Sequence, residues 1–167
     1  FLKKTKFLFL KIVQNTSNFS VKDETYVTIG TFDGVHFGHQ KIIEKLVKEA
    51  KKANKKSVVL TFFPHPRMVL QKDASLKLLN TIEERATLLE KTDLDYLIIH
   101  PFSKDFSRMS ALEFVRDILV KQLNISKLII GYDHHFGKNR EGNITQLSEY
   151  SHLYGFKVEE IPAQDIN

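Results

Sequence analysis

The sequence predicts an α/β fold built on a doubly wound, five-stranded parallel sheet. Three observations predict it. Short apolar runs alternate with longer segments of helical periodicity along most of the chain. The runs are apolar nearly throughout, as strands are when helices cover both faces of a parallel sheet. The segments richest in glycine, histidine and proline follow the strands, where such sheets bind ligands near a topological switch point.

Tyr26–Gly30 (YVTIG) reads as the first strand. A helix is expected from Gly38 to about Asn54, with Ile42, Ile43, Leu46, Val47, Ala50 and Ala53 along one side. Ser57–Phe63 (SVVLTFF) is the second strand, ended by Pro64-His65-Pro66. Thr81-x-x-Glu84 has the form of a capping box and opens a helix to about Lys91. Tyr96–His100 (YLIIH) is the third strand, and a second capping box, Ser110-x-x-Glu113, opens a helix to about Leu123. Lys127–Gly131 (KLIIG) is the fourth strand. A polar loop with glycines leads to a helix over Ile144–Tyr154, which Gly155 is placed to stop, and Phe156–Ile161 is the fifth strand. Residues 1–24 read as an N-terminal extension, dispensable in part, and 25–167 as one domain.

Composition narrows the function classes. No run approaches the roughly 18 uninterrupted apolar residues of a membrane span. The lysines and apolar residues at the start superficially suggest a secretion signal. Lys11 interrupts the run and no small-residue cleavage site follows, so a cytoplasmic protein without a membrane partner is expected. The absence of cysteine excludes disulfides and thiolate metal sites. The net charge of +5 is uneven: residues 1–60 carry twelve lysines and five acids, and the rest is slightly acidic. Lys41, Lys45, Lys48 and Lys52 share one helical face, expected to be a solvated outer face. They lack the interleaved aromatics or arginines of a nucleic-acid surface, and no nucleic-acid partner is expected.

The segment Gly30-Thr31-Phe32-Asp33-Gly34-Val35-His36-Phe37-Gly38-His39 carries the chemistry. A buried strand runs through a glycine turn into a helix. Glycine lets backbone approach a phosphate, and the free N–H groups and positive dipole of the helix end suit a triphosphate. His36 and His39 are three residues apart, project to one side of a helical turn, and can donate hydrogen bonds to phosphate oxygens as charge builds. Each feature alone has a plainer reading: a tight turn, a helix cap, or half of a metal site that no nearby ligands complete.

His36-x-Gly38-His39 after a strand resembles the HxGH signature of the nucleotidylyltransferase superfamily. The longer GTFDGVHFGH resembles its FAD synthetase branch, the N-terminal module of bacterial bifunctional riboflavin kinase/FMN adenylyltransferases. Two further segments are similar to that family. Thr61–Leu70 (TFFPHPRMVL) resembles its flavin-side PHP loop. Ile130–Asn143 matches G-x-D-x-x-F-G-x-x-x-x-G, with Gly131, Asp133, Phe136, Gly137 and Gly142 in the matching places. Phe63, where many relatives are polar or acidic, and His134-His135, where relatives often carry an arginine, depart from the pattern.

The resemblance implies a Rossmann-like fold of nucleotidylyltransferase type and the reaction of ATP, with Mg2+, and FMN to give FAD and pyrophosphate. It implies catalytic roles for His36 and His39. It implies ATP binding at Gly30, Thr31, Phe32, Asp33, Gly34, His36, Gly38 and His39, and at Gly131, Asp133, Phe136, Gly137 and Gly142. Flavin binding falls to Pro64, His65, Pro66, Arg67 and Phe102. The metal ligands are unassigned. Pro64-His65-Pro66 is a stiff turn that can present a wall to an aromatic ring. Arg67 can pair with a phosphate or face water. Phe102 and Phe136 can stack on a flavin or belong to the core. Asp133 can hold ribose hydroxyls or magnesium. A sister transferase acting on phosphopantetheine or glycerol 3-phosphate, and a non-catalytic flavin or nucleotide sensor, remain alternatives. The resemblance also implies a Ser-Ser/Thr-x-x-Arg segment soon after the fifth strand and a riboflavin kinase module on the natural protein. Neither is in the sequence to Asn167, so a domain cut short at its C-terminal end is expected.

Overall fold

The computed structural model describes residues 10–31, 37–71, 82–132, 137 and 142–162. Its strands are β1 (Lys11–Gln14), β2 (Thr25–Ile29), β3 (Lys56–Phe63), β4 (Tyr96–Pro101), β5 (Ile125–Gly131) and β6 (Lys157–Ile161). They form one sheet in the order β1-β4-β3-β2-β5-β6, and every pairing is parallel. The chain moves outward from β2 through β3 to β4, then returns to the other side of β2 for β5 and β6. The switch point therefore lies between β2 and β5.

Period-two alternation assigns the strand residues to two cores. Val58 and Leu60 of β3, Ile98 of β4, and Leu128 and Ile130 of β5 face one side. Val59, Leu97, Ile99 and Ile129 face the other. Helix α1 (Phe37–Lys52) covers the second face with Ile42, Ile43 and Leu46. The short helix α2 (Pro66–Leu70) follows β3, and α3 (Ile82–Glu90) adds Ala86 and Leu89 to the second face. After β4 come α4 (Lys104–Ser107) and α5 (Ala111–Glu113). The Ser110 hydroxyl accepts the Glu113 N–H and the Glu113 carboxylate accepts the Ser110 N–H, completing the expected capping box. These two bonds also hold the Glu113 carboxyl below its usual pKa.

Beyond Glu113 the helix differs from expectation. Phe114–Gln122 winds as a π-helix, and the Leu123 N–H still reaches back five residues to the Ile118 carbonyl at 2.9 Å. It lays Phe114, Val115, Ile118 and Leu119 on the first face. Helix α6 (Ile144–Tyr154) begins where the Asn143 side chain accepts the Gln146 N–H. It ends at Gly155, whose φ of 77° is the left-handed value a helix stop of this type requires.

The five-stranded expectation is corrected to six strands. Residues 1–24 are not merely an extension, because the fold draws on them from Lys11 onward. The Lys11 N–H donates to the Asp95 carbonyl at 3.0 Å and the Asn15 N–H to Ile99 at 2.8 Å, seating β1 beside β4. Thr16 and Phe19 are buried behind it, and Phe19 meets Tyr96 edge-on at 5.0 Å. The strand escapes a periodicity reading because it has only two apolar residues, Ile12 and Val13, between lysine and glutamine. An edge strand needs no more.

The lysine face of α1 is only partly a solvated surface. Lys48 and Lys52 are exposed, but the Lys45 ammonium lies 2.9 Å from carboxylate oxygens of both Glu49 and Glu159. Lys127 pairs with the same two acids, so α1, β5 and β6 share a four-residue ion network. Burial raises the carboxyl pKa values of Glu49 and Glu159, but the bonds from Lys127 and Lys45 outweigh it and hold both below their usual range.

Candidate active site

Because every strand is parallel, the segments that follow β2, β3, β4 and β5 leave from one edge of the sheet. At the switch point, β2 passes into Gly30, whose N–H donates to the Leu60 carbonyl at 3.1 Å, and then Thr31. The Thr31 carbonyl accepts two side chains: the Thr61 hydroxyl of β3 at 3.3 Å and a guanidinium nitrogen of Arg85 from α3. Thr61 and Arg85 are 2% and 3% exposed. Phe32, Asp33, Gly34 and His36 lie outside the described residues. Gly38 lies within α1, and His39 stands half-buried in its first turn. That turn contains no acidic residue to oppose an anion at the helix end.

After β3, the Phe63–Pro64 peptide is cis. The stiff turn expected here also starts a helix. His65 caps α2, its Nδ1 accepting the Arg67 N–H at 3.1 Å, and Pro66 occupies the first turn. Arg67 is exposed, as are Phe63 (50%), Met68 (38%) and Leu70 (56%). The Phe102 N–H donates to the Phe63 carbonyl at 3.0 Å, bringing the segment after β4 beside the PHP turn. Phe102 is half-buried and meets Phe62 and Phe106 edge-on, at 5.8 and 5.5 Å between ring centres. These are favourable aromatic separations.

Strand β5 ends at Gly131, and Tyr132, 48% exposed, follows it. Asp133 and Phe136 lie outside the described residues. Gly137 packs on the start of α5: a Cβ there would sit 3.0 Å from the Ala111 nitrogen, and its φ is +81°. Gly142 is buried. The structure thus places Gly30 and Thr31 at the end of β2, at the switch point, and brings Phe102 beside the PHP turn. Among the described residues, no group of three or more His, Cys, Asp or Glu could hold a metal ion, and no helix is long and apolar enough to cross a membrane.

Sequence reasoning missed Thr61 and Arg85. The signal for Arg85 was available: Ile82, Arg85, Ala86 and Leu89 follow i, i+3, i+4, i+7 spacing. An arginine on an apolar stripe needs a partner inside.

Residues 18–167 match the FAD synthetase family. The chain belongs to that family. It is 39% identical over 153 residues to the bifunctional riboflavin kinase/FMN adenylyltransferase of Buchnera aphidicola subsp. Schizaphis graminum, covering 91% of this chain and 49% of that protein. It is 32% identical over 151 residues to the enzyme of the same description from Escherichia coli K12, covering 89% and 48%. The chain spans about half the length of the curated relatives it matches. Among solved structures it is similar to one from Streptococcus pneumoniae described as a macrolide-efflux protein, with a TM-score of 0.78 and 26% identity, over 92% of this chain and 50% of that one. A pantoate-beta-alanine ligase from Francisella tularensis shares the fold alone, with a TM-score of 0.59 and 15% identity, over 92% and 67%.

Proposed function

We propose that this chain transfers AMP from MgATP to FMN, giving FAD and pyrophosphate. Beside family membership, one observation supports the reading: β2 ends at the switch point of the sheet, and the next described element is α1, whose first turn carries half-buried His39 and no acidic residue. An oxygen of the FMN phosphate attacks the α-phosphorus of ATP. A new P–O bond forms as the bond to the bridging oxygen of the β-phosphate breaks, and pyrophosphate leaves with the electron pair. The attacking phosphate is already an anion near neutral pH, so no base has to remove a proton. The rate then comes from positioning and charge stabilisation.

In this reading Gly30–His39 hold the ATP phosphates, with His36 and His39 donating to the transferring group. Gly131, Asp133, Phe136, Gly137 and Gly142 complete the ATP side. The flavin lies along Pro64–Arg67 and Phe102, where exposed Phe63 and Met68 supply apolar surface. Magnesium comes in on the nucleotide. The natural protein pairs this module with riboflavin kinase, as in the relatives, and works in the cytoplasm without nucleic-acid or membrane partners.

The test mixes the chain with ATP, magnesium and FMN and separates the flavins by chromatography. FAD and pyrophosphate are expected in equal amounts. Adenylylated phosphopantetheine or a nucleotidylated glycerol phosphate, with no FAD, would reassign the acceptor.

A further inference from the structure

We propose that Arg85 is a positioning residue for the nucleotide, acting through the carbonyl of Thr31; this rests on the ATP reading of the glycine turn. The guanidinium of Arg85 donates to that carbonyl, and the Thr61 hydroxyl donates to the same oxygen at 3.3 Å. Both side chains are almost fully buried. They come from different elements, α3 and β3, and converge where β2 passes into the turn. A guanidinium keeps its charge at every working pH, so its bond is charge-assisted. A peptide unit is planar, so fixing its oxygen fixes the orientation of the whole unit. Thr31 is thus anchored at the head of the glycine and histidine segment.

The arrangement suits positioning better than stability alone. A buried arginine is an expensive way to fill space, because its charge must be satisfied inside. Helix α3 already has Ala86 and Leu89 in the second core. One guanidinium nitrogen of Arg85 instead donates to the backbone at the head of the segment that leads to His39. Backbone donors that bind phosphate must be held before the ligand arrives, since small misplacements are costly.

The experiment measures MgATP affinity by calorimetry for the wild-type chain, Arg85→Met, Arg85→Lys, Thr61→Val and the Arg85→Met/Thr61→Val double variant. Amide hydrogen exchange is followed without ligand. Arg85→Met should weaken ATP about tenfold or more, Thr61→Val less, and the two effects should be non-additive because they share one oxygen. FMN affinity should stay within about twofold, and Arg85→Lys should recover part of the loss. Exchange should quicken around residues 30–39 and not across the sheet. Unchanged ATP affinity, additive losses, equal loss of FMN affinity, or exchange that quickens everywhere would overturn the proposal. A Thr61→Val chain that folds normally keeps the test decisive if Arg85→Met folds poorly. A wild-type chain that makes no FAD defeats the functional reading, while the exchange pattern still judges Arg85.

Discussion

The backbone N–H of Thr16 donates to Nδ1 of His100 at 3.3 Å, tying the segment after β1 to the end of β4. The Thr16 hydroxyl continues the chain to Oε1 of Gln122 at 2.5 Å. The Thr16 hydroxyl oxygen also lies 3.1 Å from the same ring nitrogen. Burial pushes the pKa of His100 below the usual 6.5.

A pH dependence follows. The unfolded histidine takes up a proton as pH falls through about 6.5, while the folded one resists. The stability His100 contributes is therefore full above that pH and is lost as pH falls through the folded value. The thermal midpoint of the wild type should drop between about pH 7 and about pH 5 more steeply than that of His100→Gln, which cannot titrate. Parallel curves would remove His100 from the acid response.

His39→Ala should slow FAD formation about 10²–10³-fold, the range seen when a donor acting mainly in the transition state is lost. FMN affinity should hardly move, because His39 stands at α1 and the PHP turn follows β3. Single-turnover kinetics with both substrates saturating gives the rate, and flavin fluorescence titration gives the affinity. Near-normal turnover would take His39 out of the mechanism.

Substitutions at Pro66 and Arg67 should raise the FMN requirement and spare ATP binding. Pro66 opens α2 and Arg67 is exposed beside Met68, so neither belongs to the buried core. Pro66→Ala should cost the flavin side several-fold through loss of a preset backbone. Equal losses on both substrates, compared by KM for each, would place the flavin elsewhere.

What the sequence could disclose follows from how strongly each residue is constrained. Leu128, Ile129 and Ile130 are buried on alternate faces, so a continuous apolar run announces a parallel strand. The box Ser110–Glu113 and the stop at Gly155 are local chemistry, readable without tertiary contacts. Strand β1 is not, since two apolar residues at an edge lie below any periodic signal. The π winding after Glu113 lays Phe114, Val115, Ile118 and Leu119 on the first core, and an apolar spacing of four does not distinguish it from an α-helix. At the site, the glycine and histidine string stands out as a motif in the sequence, while Phe32, Asp33, Gly34 and His36 lie outside the described residues. The apolar stripe of α3 marks Arg85 as buried, but its partner Thr31 lies 54 residues away and only the fold joins them.

Gly137 tests whether a motif glycine serves packing as well as the nucleotide. At a φ of +81°, a Cβ would sit 3.0 and 3.1 Å from the Ala111 nitrogen and Cα, tight enough that this backbone would have to give by a few tenths of an ångström. The neighbours are backbone at the start of α5, held by the Ser110–Glu113 box, and so resist that shift more than the end of a flexible side chain would. Gly155 is the control, since it shares the left-handed backbone at +77° but has nothing within 4 Å of an added Cβ. Gly155→Ala should therefore lose about 1 kcal/mol from backbone strain alone. Gly137→Ala should lose about 2 kcal/mol or more, because overpacking adds to the strain. Adding Ala111→Gly should rescue little, since it removes only the Cβ at 3.3 Å and keeps the two closer atoms. Denaturant midpoints give the stabilities, and calorimetry gives ATP affinity in the same variants. Equal midpoints for the two glycine variants, with ATP affinity lost only in Gly137→Ala, would make nucleotide contact rather than packing the reason for this glycine.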